Sequence, residues 1–365
     1  MRENFRGIST DGVWNSVAGR RASLIAAAAC AAVAVGFAPA TAATGAAGTC
    51  TEVSVPVALA EGEAPDNTVA ATWCTPRNGG TGEQQADVLV AGATYGREYW
   101  DSSFEPQTYS YVDDTLAAGR ATFNFDRLGT GASSRPASAR VTVANDAFVL
   151  HQLIDWVHRQ GYAHINAVGH SLGSVTLINE ASRWHDLERV VLTGVIHLPG
   201  VGLSSIAFFG GLYPAMLDPM WAGKLGDPGY LTTMPGKRGA AFYAPDTSDP
   251  AVIDHDERTK TLTTVGEVGE SAASLLSPVT VNPSRAITAR VLVAMGSEDN
   301  IFCNLLISCR DAETIRASEA PYYSGAADFD ALVVPGAAHN LTLHRSAPQA
   351  FQAIDHWIGT GNTIG

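Results

Sequence analysis

Gly169-His170-Ser171-Leu172-Gly173 is the stretch of this 365-residue chain best suited to do chemistry. It reads G-x-S-x-G. Residues 165–168 before it form a short apolar run of strand type, and residues 172–184 after it have helix-forming composition. A serine at a sharp strand-to-helix turn is held where a substrate can reach its hydroxyl, and flanking glycines leave the turn room to close. A hydroxyl is a weak nucleophile unless a base takes its proton, and the base needs a carboxylate to orient it. Two later segments offer these groups. Gly296-Ser297-Glu298-Asp299 follows an apolar run at 289–295, and Pro335-Gly336-Ala337-Ala338-His339 follows another at 330–334. Glu298 is the alternative acid. His344 is the alternative base, although it falls where the last helix is approached. The chain order is serine, acid, histidine, and the chemistry would be nucleophilic acyl transfer, with a rate that declines in acid as the imidazole base is protonated.

These groups can meet only if the fold gathers several strand ends. The sequence predicts strands near 51–60, 69–73, 87–91, 121–125, 165–168, 189–195, 289–295 and 330–334, and helices near 111–118, 145–160, 172–184 and 347–358. In the second helix Val149/Leu150, Leu153/Ile154 and Trp156/Val157 recur at helical spacing, and Gly161 closes it. Strands alternating with helices, several of them apolar throughout, imply an α/β fold with a mostly parallel sheet covered on both faces. Right-handed crossovers then place the C-terminal ends of the parallel strands on one edge, where catalytic loops belong. One segment, about 200–284, breaks the alternation. It is rich in Gly and Pro and carries Phe208, Phe209, Tyr213, Met216, Met220 and Trp221. It reads as an inserted cap over the catalytic edge.

With these residues in view, the chain resembles the α/β-hydrolase superfamily over about residues 80–199 and 285–360. The resemblance implies Ser171 as nucleophile, His339 as general base and then acid, and Asp299 rather than Glu298 as its partner. Asp126-Arg127-Leu128-Gly129-Thr130-Gly131 resembles the family's D-R-x-G-x-G-x-S loop, which shapes the fold near the site and is given no catalytic role. The family's oxyanion hole implies the backbone N–H of Leu172 and a second donor after an early strand. Ala91-Gly92-Ala93 stands there, so Ala93 is the expected donor and Thr94 the alternative. The expected activity is cleavage of carboxylic esters through an acyl-enzyme, as in an esterase or lipase, with no cofactor and no metal. The apolar cap points to a hydrophobic ester as the partner. Acyltransferases, lactonases, amidases and lyases share the scaffold, and a non-catalytic binding protein is the reading from another class. Epoxide hydrolysis and dehalogenation are disfavoured, because the related families carry Asp where this chain has Ser171.

The bulk composition bounds the setting. The net charge is −13, which argues against nucleic acid and anionic membranes as partners. Residues 1–43 read as an export signal: Arg20-Arg21 ends a polar region, an apolar alanine-rich run follows at 22–37, and small-x-small sites close it. A secreted chain of residues 44–365 is therefore expected, with no stable membrane span after cleavage. Its loss of Arg2, Arg6, Arg20 and Arg21 against Glu3 and Asp11 would leave it two charges more acidic. Cys30 lies in the leader. The remaining Cys50, Cys74, Cys303 and Cys309 suggest two local bridges, Cys50 with Cys74 and Cys303 with Cys309, in an oxidising compartment. Of the other histidines, His170 reads as structural, His197 as a pocket-lining candidate, and His255 as part of a solvated charged loop. His151, His158, His164, His185 and His356 are given no chemical role.

Overall fold

The computed structural model describes residues 47–77, 84–197, 203–303 and 307–363. The leader expected at 1–43 lies outside them. Eight strands form one sheet: β1 Gly48–Val57, β2 Asn67–Pro76, β3 Gln85–Val90, β4 Ala121–Phe125, β5 His164–His170, β6 Arg189–Thr193, β10 Arg290–Gly296 and β11 Asp328–Val334. Their spatial order is β1-β2-β4-β3-β5-β6-β10-β11. β1 and β2 pair antiparallel with each other, and β2 pairs antiparallel with β4. The six strands from β4 to β11 are parallel. The expected α/β architecture is thus present. The central strands are buried along nearly their whole length, which is why they lack alternation.

Helices α1 Pro106–Tyr109, α2 Tyr111–Ala117, α3 Val143–Arg159, α4 Leu172–Trp184, α9 Ala312–Glu319 and α10 Ala347–Thr360 belong to the crossovers and the end of the chain. In α3 the stripe Val149, Leu150, Leu153, Ile154 and Val157 is buried, as the helical spacing requires. Its N-terminus is closed by Thr142, whose hydroxyl accepts from the Asn145 N–H. No helix among the described residues is long and apolar enough to cross a membrane.

Between β6 and β10 the chain forms α5 Leu203–Gly211, a three-stranded antiparallel sheet of β7 Leu212–Pro214, β8 Tyr230–Thr233 and β9 Thr263–Thr264, and helices α6 Arg238–Phe242, α7 Pro250–Thr259 and α8 Val265–Leu276. This segment corrects one expectation. Residues 254–257 lie within α7, not in a solvated loop, and Asp256 is buried. A run of four charged or polar residues looks solvated in sequence. On a helix one of them faces inward, and here it meets the Arg238 guanidinium at 2.8 Å.

Cys50 faces Cys74 across the β1–β2 register, and the two are bridged; Cys303 is bridged to Cys309.

Candidate active site

Ser171 sits between the last residue of β5 and the first of α4, with φ 52° and ψ −116°. A non-glycine residue held at positive φ is strained by roughly 1–3 kcal/mol and must be fixed by its surroundings. The fixing comes from Thr193 at the end of β6. Its carbonyl accepts from the Ser171 N–H at 2.8 Å and from the Ser174 hydroxyl at 3.0 Å, while its own hydroxyl donates to the Gly169 carbonyl at 3.0 Å. The two glycines are needed for close approach and not for φ. A Cβ on Gly173 would lie 2.2 Å from the Val90 carbonyl oxygen, and one on Gly169 would lie 2.8 Å from the Ser174 backbone. Thr193 was not singled out by the sequence. Only the neighbouring strand's register reveals it.

The acid and histidine loops are locked together at the ends of β10 and β11. The Ser297 N–H donates to the Val334 carbonyl at 3.0 Å, and the Glu298 N–H to the Ala337 carbonyl at 2.9 Å. A Cβ on Gly296 would lie 2.3 Å from the carbonyl oxygens of both Ala337 and Ala338. In this frame Asp299 Oδ2 lies 3.0 Å from His339 Nδ1. Asp299 Oδ1 accepts from the N–H groups of Ile301 (2.9 Å) and Phe302 (3.2 Å). The carboxylate is buried and accepts only, so the imidazole proton belongs on Nδ1, leaving Nε2 free to act as base. The His339 ring stacks near Phe302 and Phe242, with centroids 5.6 and 5.7 Å away, and lies 4.8 Å from the His170 ring beside the elbow serine. Glu298 points elsewhere: it pairs with Arg310 at the surface, 2.9 Å away.

His344 is not a base facing the site. It is fully buried, its Nδ1 donates to the Asn340 carbonyl at 2.6 Å, and its Nε2 accepts from the N–H groups of Ala338 and Ala244 at 3.1 and 3.2 Å. Burial lowers its pKa to about 4. A histidine whose folded pKa is depressed binds fewer protons than the unfolded chain, so stability falls as pH drops. The window runs from about pH 6.5 down to about 4, and the loss amounts to at most about 3 kcal/mol from this residue. Urea midpoints measured across that window for the native chain and for His344→Gln should converge toward the acid end. Parallel curves would assign the acid sensitivity to other groups.

His170 is buried, stacked 4.3 Å from Tyr99, and held well below the ordinary imidazole pKa by burial and then by the adjacent His339. It is a neutral packing residue, as expected. His197 departs from expectation. It does not line the cavity described below; its Nδ1 lies 2.8 Å from the buried Glu319 carboxylate, and its ring stacks 3.8 Å from Tyr322.

The two N–H groups expected to form the oxyanion hole are available. Among the described residues nothing accepts from the backbone N–H of Leu172 or of Ala93. Arg127 anchors the peptide that carries the second one. It donates to the carbonyl oxygens of Ala91 (3.1 Å) and Gly92 (3.0 Å), and it is ion-paired with the buried Glu267 of α8. Glu267 also completes a capping box: its carboxylate accepts from the Thr264 N–H at 2.6 Å while the Thr264 hydroxyl accepts from the Glu267 N–H at 3.1 Å. The alternative donor, Thr94, is buried at φ 62°. Its hydroxyl accepts from Arg238 at 2.8 Å, and its carbonyl accepts from the Thr261 N–H at 2.8 Å. Tyr95 donates to Asp256 at 2.9 Å and accepts from Asn340, next to His339, at 2.5 Å. The segment between β6 and β10 is therefore bonded to both the oxyanion loop and the histidine loop. The Arg127–Glu267, Arg238–Thr94 and Asn340–Tyr95 pairs leave no signal in the sequence, because each joins groups far apart in the chain.

A cavity of about 520 Å³ opens at this point. Ser171, Leu172, Ala93 and His339 border it, together with Ile301 and Phe302. Most of the remaining wall is supplied by α5 through Ile206, Phe208 and Phe209, and by α8 through Val268, Leu275 and Leu276, with Val175 of α4 beside them. Ile206, Phe209 and Leu276 are more than half exposed, so the mouth is apolar as well as the interior.

Comparison with other proteins agrees with this architecture. An esterase from Thermogutta terrifontis shares 18% identity, with 86% of this chain and all of that chain covered at a TM-score of 0.55. E-2-(acetamidomethylene)succinate hydrolase gives 18% identity, the same coverages and a TM-score of 0.54. Epoxide hydrolase A from Mycobacterium thermoresistibile gives 18% identity, 86% and 99% coverage, and a TM-score of 0.52. At these identities the likeness is one of fold. No curated protein sequence matches the chain. Residues 88–354, which run from β3 into the last helix and so include every group described above, match the Alpha/beta hydrolase family. The chain belongs to the alpha/beta hydrolase family.

Proposed function

We propose that this hydrolase is a secreted serine esterase acting on carboxylic esters with an apolar acyl or alcohol part. One observation carries the reading: a strained serine, a carboxylate-oriented imidazole and two unpartnered backbone N–H groups border a single cavity with apolar walls. Ser171 Oγ attacks the ester carbonyl as its proton passes to His339 Nε2. Asp299 stabilises the resulting imidazolium without taking the proton. The N–H groups of Leu172 and Ala93 hold the oxyanion, each contributing about 3 to 4 kcal/mol to the barrier reduction. The imidazolium then protonates the leaving alkoxide, the alcohol departs, and water repeats the sequence on the acyl-enzyme. Helices α5 and α8 act as the cap that receives the apolar part of the substrate. A serine at the elbow favours this course over epoxide opening, which in related families runs through an Asp there. The leader composition and the two bridges support export.

The test is a series of nitrophenyl esters of increasing acyl length, run beside labelling with a fluorophosphonate. Each added methylene that enters the cavity should raise kcat/KM by about fourfold, from about 0.8 kcal/mol of transfer free energy. The gain should stop when the cavity is filled. Absence of turnover across the series, together with absence of label on Ser171, would overturn the proposal.

A further inference from the structure

The end of α4 opposite Ser171 carries a cluster that ester cleavage does not use. His151 lies on α3, Glu180 lies in the third turn of α4, and Asp186 follows the left-handed residue His185 that ends α4. His151 Nδ1 is 2.7 Å from an Asp186 carboxylate oxygen and 3.7 Å from Glu180 Oε1. One ligand atom from each of the three residues falls within 4.8 Å of the other two. Glu180 is completely buried, and neither of its carboxylate oxygens has a hydrogen-bond partner among the described residues. Asp186 Oδ1 is buried and unpartnered in the same way. Among the described residues no Lys or Arg pairs with either carboxylate, and the adjacent Arg183 reaches away to Glu61. The His151 ring is stacked 4.6 Å from Trp184, which sets its direction. His151 and Asp186 keep about a fifth of their side chains exposed, so the cluster opens to solvent on one side.

Three buried carboxylate oxygens without a donor at hydrogen-bond distance are costly, because each has lost its water and the His151 imidazole, 3.7 Å from Glu180, is too far to replace it. A cation removes that cost, and the donor set selects it. One imidazole nitrogen with two carboxylates suits a divalent first-row ion better than a thiolate-seeking one or an all-oxygen calcium cage. We propose that His151, Glu180 and Asp186 form a divalent-cation site, of the kind that takes Zn²⁺ or Mn²⁺, which fastens α3 to α4. Ligation through Nδ1 places the imidazole proton on Nε2, and water completes the coordination on the open side. The site is structural: it braces the helix whose other end carries Ser171, and it lies outside the cavity lining.

The experiment uses the purified chain, stripped with a chelator and titrated separately with zinc and manganese chloride. Calorimetry should show one ion bound per chain for at least one of the two metals. The melting temperature should rise by about 4 °C at a hundredfold excess over Kd. Both signals should vanish in Glu180→Gln, which keeps the packing and removes the charge, and in His151→Ala. Asp186→Asn, at a partly exposed position, serves the same purpose if Glu180→Gln fails to fold. Neither metal binding to the native chain would overturn the proposal. So would binding that persists undiminished in the variants, since the ion would then sit elsewhere. A chain destabilised by Glu180→Gln yet indifferent to both metals would show a hydrogen-bonded trio holding a proton instead.

Discussion

Ser171→Ala is expected to lower kcat/KM for ester substrates on the order of 10⁴- to 10⁶-fold and to abolish labelling by a fluorophosphonate. The fold should be unaffected. The substitution removes only the hydroxyl oxygen, which makes no hydrogen bond to a described residue, and leaves the backbone strain at φ 52° and its anchoring to Thr193 as they are. His339→Ala should cost a similar factor, and the double variant little more, because the two side chains act as one unit. Steady-state kinetics on one activated ester, with melting curves to confirm folding, decide the matter. Activity within tenfold of the native chain in Ser171→Ala would remove this serine from the reaction.

Asp299→Asn is expected to lower kcat about 10⁴-fold with little change in KM. An asparagine can still accept from the Ile301 and Phe302 N–H groups, so the loop should hold. What it cannot do is accept from His339 Nδ1 with its amide nitrogen. The ring would then favour the tautomer that presents a proton, not a lone pair, to the serine. Glu298→Gln is the matched control. Its carboxylate is partly exposed and pairs with Arg310, so activity should stay within about a factor of two, the scale of a surface ion pair. Collapse in Glu298→Gln with survival in Asp299→Asn would reverse the assignment of the acid.

The placement of the elements is legible in the sequence where the relevant physics is local. A strand, a glycine, a serine and a helix start within ten residues specify a turn. An acid and a histidine just past apolar runs need only the parallel sheet to bring them to one edge. A role that depends on a partner far away in the chain leaves no such local signal, and His197, expected at the pocket, is an example. Arg127 and Glu267 are 140 residues apart, and His197 and Glu319 are 122 apart. Each is an unremarkable charge until the fold buries both. Asp256 failed differently: it stands in a polar run, and only the helical turn of α7 tells it apart from its solvated neighbours. Thr193 was overlooked because strand residues pass for core, while its hydroxyl and carbonyl hold the elbow from the next strand.

The double duty of Glu267 bears on how substrate selectivity could be altered. Its carboxylate starts α8 and, through Arg127, anchors the Gly92–Ala93 peptide that carries the Ala93 N–H. The first turn of that helix is therefore part of the scaffold of the proposed site, whereas Leu275 and Leu276, at its far end, line the cavity wall. Engineering for bulkier or shorter acyl groups should leave residues 264–267 alone and vary the distal end, so that chain-length preference changes while turnover is preserved.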